Sequence, residues 1–263
     1  MPKLTYNSAF PYERDEFDVL VGTLDGDDRG DDDGATYGFG EKDDDYGVLS
    51  FNFQGTDGTD IFYGGPNGDT IKGGKGVDVL HGEGGSDHIY GGAEGDWLFG
   101  GDDNDYLFGG DGRDWLEGGA GWDTLVGGLD GDWLTGGSGH DDFQINWVNL
   151  FNHDSSSGQP DEIMDFSTTE DIISLVGTGP FLVPSMYEED TIDTGAGYQE
   201  AKKHALSLLL DTDKQYAFVT DGVDGYLFVE VYPNDVLDDV EIGVTLKGLN
   251  DLSDFNATNL FCV

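Results

Sequence analysis

Basic residues are scarce in this chain: 11 Lys plus Arg face 55 Asp plus Glu across 263 residues, a formal net charge of −44. Phosphate backbones and anionic membrane surfaces are both gripped by clustered Lys and Arg, so nucleic acid and lipid headgroups are excluded as direct partners. The natural partner is a cation. Cysteine is nearly absent as well, and the single Cys262 cannot close an intrachain disulfide. No stretch approaches the 18 apolar residues of a transmembrane helix, and the opening MPKLTYNSAFPYERDEF lacks the basic start and apolar run of a cleavable secretion signal. Catalytic signatures are missing too. His81, His88, His140, His153 and His204 form no His-Glu-x-x-His zinc site, and no Gly-x-Ser-x-Gly nucleophile elbow occurs. The expectation is a protein that is not an enzyme.

What the chain has in abundance is glycine, 44 residues, beside 37% hydrophobic and 13% aromatic residues. That is enough apolar material for a core, but so many carboxylates repel one another in a compact state unless something neutralises them. Folding should therefore be conditional on a cation.

The glycines are organised by a nine-residue period that runs without a gap from Gly55 to Gln144 as ten units, beginning GTDGTDIFY and ending GGSGHDDFQ. Position six is Asp in all ten: Asp60, Asp69, Asp78, Asp87, Asp96, Asp105, Asp114, Asp123, Asp132 and Asp141. Position eight is large and apolar in all ten: Phe62, Ile71, Leu80, Ile89, Leu98, Leu107, Leu116, Leu125, Leu134 and Phe143. Each unit reads as a six-residue turn followed by a three-residue strand whose middle side chain points inward, because strand neighbours face opposite ways. Two units make one coil. Glycines at positions one, two and four are expected to supply positive φ, with Asn67, Asp103 and Asp130 tolerating it at position four and Glu94 fitting that slot less well. Turns 18 residues apart should stack about 4.8 Å apart, so that an Asp from each faces a common gap.

Such a gap offers carboxylates and glycine carbonyls, an all-oxygen donor set that suits Ca²⁺ better than Zn²⁺ or Mg²⁺. Ten turns give eight stacked pairs, hence about eight Ca²⁺ ions in two rows. The pattern Gly-Gly-x-Gly-x-Asp-x-apolar-x resembles the RTX, or repeat-in-toxin, family. That resemblance implies an all-β fold, a right-handed parallel β-roll.

Flanking the roll, residues 1–54 carry 14 acidic and four basic residues and read as an acidic N-terminal cap, with VLSFNFQ entering the first coil. Residues 145–263 read as a C-terminal β-rich capping domain with one helix over Tyr198 to Leu210, where Ala201, Ala205, Leu208 and Leu209 share a face, and strands in YLFVEVY. The segment Asp161 to Leu175 and the run Tyr216 to Leu260 are similar to the ends of serralysin-type secreted proteins, without their protease domain. This resemblance implies type I secretion and a secreted, extracellular protein with a structural or adhesive role at a cell surface or matrix.

Outward positions on one sheet place Trp97, Trp115 and Trp133 in a row, with Tyr63 and Phe99 beside it. A patch so aromatic should be covered. The candidates are the protein's own flanks, self-association, or a polysaccharide lying on the rings, as in a carbohydrate-binding or accessory module for a polysaccharide-active enzyme. Cover by the protein's own flanks is the expectation.

Overall fold

A computed structural model of the chain describes residues 22–24, 35–39, 50, 52–146, 160–176, 187–211, 216–229, 242–250, 255 and 259–262. The acidic clusters at Asp27 to Asp33 and Glu41 to Asp45 lie outside the described residues. Strands β1 (Gly22–Leu24) and β2 (Ala35–Phe39) pair antiparallel, and β3 (Asn52–Gln54) stands just before the repeats.

Within the repeats, each unit contributes one strand: β4 (Ile61–Tyr63), β5 (Thr70–Lys75), β6 (Val79–Gly84), β7 (His88–Ala93), β8 (Trp97–Asp102), β9 (Tyr106–Asp111), β10 (Trp115–Gly121), β11 (Thr124–Leu129), β12 (Trp133–Gly139) and β13 (Asp142–Asn146). Even-numbered strands stack parallel in one sheet and odd-numbered strands in the other, always in register with the residue 18 positions on, as in Leu98 opposite Leu116 and Leu107 opposite Leu125. The fold class is the expected parallel β-roll. All ten eighth-position side chains are buried in one core between the two sheets. A single inward residue per strand is what a period of nine, cut by a six-residue turn, can supply.

The roll does not stop where the repeats do. β14 (Asp161–Ile163) pairs parallel with β12, and β15 (Ile172–Val176) pairs parallel with β13 over five residues, Asp142 to Asn146. β19 (Ile242–Leu246) then adds to β14, and β20 (Leu260–Cys262) adds to β15. At the other end, β2 pairs parallel with β4 and β3 with β5, so the N-terminal residues prolong both sheets.

Beyond β19 the first sheet turns antiparallel through β18 (Gly225–Val229) and β17 (Tyr216–Thr220), and ends in β16 (Tyr187–Thr191). β17 and β18 are buried along their whole length. Tyr216, Phe218, Leu227 and Val229 join the roll core, while Ala217, Val219, Tyr226 and Phe228 face the helix α1 (Tyr198–Asp211). The expected helix is present, and Ala201, Ala205 and Leu209 are its buried face, with Leu208 half-buried. No helix among the described residues is long and apolar enough to cross a membrane.

Candidate metal centre

The ten repeat aspartates are all buried, none more than 2% exposed. Eight of them, Asp78 to Asp141, each spend one carboxylate oxygen on the coil before it. Oδ1 of Asp78 accepts the amide of Asp60, and the same bond recurs every 18 residues up to Asp141, which accepts the amide of Asp123, at 2.6 to 3.0 Å. The pattern continues past the repeats, with Asp161 accepting from Asp132 at 3.1 Å and Asp171 from Asp141 at 3.0 Å. Paired aspartates are thus rungs of two hydrogen-bonded ladders, one along each edge, and they do not simply face each other across a gap as the sequence reading expected.

The second oxygen divides the rungs into two classes. In Asp60, Asp69 and Asp171, Oδ2 accepts the amide four residues earlier, from Thr56, Gly65 and Ser167. In Asp78, Asp87, Asp96, Asp105, Asp114, Asp123, Asp132 and Asp141, Oδ2 is buried and has no hydrogen-bond partner. Orphaned buried carboxylate oxygens are costly, and eight in periodic array require a compensating charge.

Backbone conformation accounts for the division. Position two has positive φ in the interior turns, at Gly74, Gly92, Gly101, Gly110, Gly119, Gly128 and Gly137, and even at Glu83. Thr56 and Gly65 do not share it, and theirs are the amides that reach the carboxylate. Position four is also left-handed in Asp103 and Asp130 but not in Asn67. Glu94 adopts φ 73° despite its side chain, and its Oε2 accepts the amide of Gly76 one coil away at 2.8 Å. A local hydrogen bond offsets the cost of that slot.

Position one corrects the sequence reading. None of its glycines has positive φ; they are glycine for want of room. A Cβ on Gly118 would stand 2.5 Å from Asp123 Oδ2 and 2.7 Å from the carbonyl oxygen of Gly136 in the next coil. Equivalent overlaps with one carboxylate and one carbonyl oxygen occur at Gly73, Gly82, Gly91, Gly100 and Gly109. At Gly127 and Gly136 the nearest atoms all belong to Asp132 and Asp141. The absent Cβ leaves a cradle on which an orphan oxygen and a carbonyl converge.

Burial, only partly offset by the single backbone donor, pushes Asp78, Asp87 and Asp114 up to about 7 and Asp96 and Asp105 up to about 8. Asp123 and Asp141 rise to about 6 for the same reason. Asp132 is raised by burial and then by the charges of Asp161 and Asp114. Either a proton or a cation must occupy such a ladder at neutral pH. The donor set fits Ca²⁺: hard oxygens, flexible in number, with no sulfur or imidazole in register. Among the described residues no three His, Cys, Asp or Glu side chains close on one point, so backbone carbonyls must complete the coordination.

The tryptophan row lies on the outer face of the first sheet, in register across β8, β10 and β12. Trp97 is 51% exposed and Trp115 36%, while Trp133 is half-buried under the Arg113 guanidinium, 3.7 Å from its ring centroid. Among the described residues, the flanks expected to cover the row leave Trp97 and Trp115 exposed. Beside the row, Tyr63, His81 and Phe99 form a continuous stack with centroids 4.5 Å apart.

The RTX calcium-binding nonapeptide repeat matches residues 54–89, 81–116 and 117–144, about a third of the chain. No curated protein matches. Among solved structures, the chain is similar to the solution structure of a subunit of the Azotobacter vinelandii mannuronan C5-epimerase, at 19% identity over 82% of this chain and 81% of that one, with a TM-score of 0.30. Residues 54–144 are a block of RTX repeats, and the chain is a calcium-binding repeat protein with a parallel β-roll.

Proposed function

We propose that the chain is an exported, non-enzymatic roll that folds when it meets Ca²⁺ outside the cell and serves a structural or adhesive role at a surface or matrix. The eight buried, unpartnered Oδ2 atoms carry the reading, because each lies beside the space that a position-one glycine keeps clear. They argue for about eight ions. Asp78 to Asp141 would hold them together with glycine carbonyls, and the ion would neutralise charge that the metal-free ladder must otherwise bury. Circular dichroism during a calcium titration tests it: strand signal should appear cooperatively at about 10⁻⁴ to 10⁻³ M Ca²⁺, the range of extracellular modules. Strand signal indifferent to chelator would overturn it.

A second reading rests on the exposed tryptophans. Trp97 and Trp115 offer ring faces to a polysaccharide, with Trp133 in register beside them under the Arg113 guanidinium, and a neutral polysaccharide is favoured, because a chain of charge −44 repels both polyanions and second copies of itself. Retention on neutral glycan resins that disappears in Trp115→Ala, with calcium uptake unchanged, would support this reading; equal retention of both proteins would remove it.

A further inference from the structure

The ligands of the cation array do not end with the repeats. In the six cradles from Asp78 to Asp123 the carbonyl that joins the orphan oxygen comes from the following coil. For Asp132, the following coil is β14, outside the matched repeats. Asp132 is fully buried and its Oδ2 has no partner, while its amide is held by Oδ1 of Asp161, as every earlier rung holds the one before it. A half-buried Asp161 carboxylate thus sits against the buried Asp132, and its charge bears directly on it.

The opposite edge ends differently. There Asp171 takes amides from both Asp141 and Ser167, and Asp165 takes the amides of Gly136 at 2.9 Å and Gly137 at 2.8 Å. Backbone donors serve the added carboxylates on that side. The repeat aspartate keeps an orphan Oδ2 at both edges, Asp132 and Asp141; what differs is the added carboxylate, since among the described residues Asp161 takes only the Asp132 amide.

We infer that Asp161, beyond the repeats, joins Asp132 in holding the Ca²⁺ ion of that cradle, one of the eight, and that this ion fastens the C-terminal unit to the roll. The inference rests on the calcium reading of the repeats and extends it to a ligand beyond them. β14 is the seam: it pairs with β12 on one side through Trp133 and Leu134, and with β19 on the other through Val244, Thr245 and Leu246. An ion at its first residue ties the two together.

The test uses the full chain. Asp161→Asn keeps an acceptor for the Asp132 amide but removes the charge, and it should bind one Ca²⁺ fewer per chain by equilibrium dialysis. Amide protection at residues 161–163 should then need about tenfold more Ca²⁺, the scale of coupling between linked sites. Asp221→Asn, in the C-terminal unit but away from the ladder, should leave the stoichiometry unchanged. If Asp161→Asn does not fold, the parent protein decides: protection at 161–163 must rise with Ca²⁺ together with residues 133–135. Protection already present in chelator, or a variant that binds as many ions as the parent, overturns this inference alone. A parent that takes up no Ca²⁺ overturns the reading beneath it.

Discussion

Asp105 and Asp221 are equally buried, each 2% exposed, and they have opposite fates. Asp105, in the roll, has one backbone donor on Oδ1, the amide of Asp87, and an orphan Oδ2, and burial drives it up to about 8. Asp221, in the C-terminal unit, is also pushed up by burial, but the amides of Asp224, Gly197 and Val223 and the Tyr226 hydroxyl outweigh this and hold it below the ordinary value. A buried carboxylate ringed by donors is a structural fastener that is complete in itself. One left half-satisfied, and repeated eight times, is a request for a cation.

The two regions should accordingly part company when calcium is removed, and this is the largest effect expected. Chelation leaves the roll with eight uncompensated carboxylates and glycine-rich turns that are entropically costly to order. Hydrogen exchange in excess chelator should show residues 61–146 unprotected, while 198–209 and 216–229, packed through Phe228, Tyr226, Ala201 and Ala205, retain protection. Uniform loss across both regions would break the comparison.

Acid should substitute in part for the metal. Asp78, Asp87, Asp96, Asp105, Asp114, Asp123 and Asp141 have folded-state values of about 6 to 8 against an ordinary 3.8, so the metal-free fold binds more protons than the unfolded chain in that window. Its stability is fully present below about pH 4 and is lost as pH rises through about 6 to 8. Asp221 and Asp190 are lowered, so their contribution runs the other way, present above the ordinary carboxylate range and lost as pH falls through the depressed values. In chelator, strand signal from the roll should be greater at pH 5 than at pH 8, and the calcium midpoint should climb as pH falls from 8 to 6. A midpoint independent of pH would contradict proton and metal competing for the same oxygens.

Much of this was legible in the sequence, because the roll encodes its structure at a fixed period. Asp at position six and Leu or Ile at position eight announce the ladder and the core, and the helix at Tyr198 shows in the spacing of its alanines. The ladder's extension was harder to read: Asp161 follows Asp132 by 29 residues and Asp171 follows Asp141 by 30, so neither falls on the 18-residue beat. Nor does composition tell which carboxylates are already served. Gly65 and Gly74 occupy the same repeat position, yet only Gly74 has positive φ, and that flip decides whether an amide reaches the aspartate. The two-sided burial of β17 and β18 is equally invisible locally, since alternate residues face two different apolar partners.

Glycine substitutions sharpen the contrast at smaller scale. Gly118→Ala fills a cradle without demanding an unusual φ, so its methyl competes with the space between Asp123 Oδ2 and the Gly136 carbonyl. Overpacking of this kind costs about 1 to 3 kcal/mol, and one ion should be lost with it. Gly248→Ala, at φ +74° with nothing within 4 Å, should cost about 1 kcal/mol from backbone conformation alone and lose no ion. Calcium counting separates the two, and equal stoichiometry in both variants would show that position one does not guard the site.

The smallest effect is expected on the outer face. Trp115 is partly exposed, and its one ring contact within the row is with Trp133, centroids 6.0 Å apart and tilted by 44°. A buried large aromatic typically costs about 3 to 5 kcal/mol on truncation, whereas an aromatic pair at a surface is worth about 0.5 to 1.5. Trp115→Ala should therefore lower stability by about 1 kcal/mol at saturating Ca²⁺. Trp133→Ala should cost more, because that ring is half-buried and carries the Arg113 guanidinium on its face. Thermal melts of the two calcium-loaded variants give the ranking. A loss near 4 kcal/mol for Trp115→Ala would mean that the row is covered in solution; sedimentation at several protein concentrations then distinguishes cover by a second copy, which varies with concentration, from cover by the chain itself, which does not.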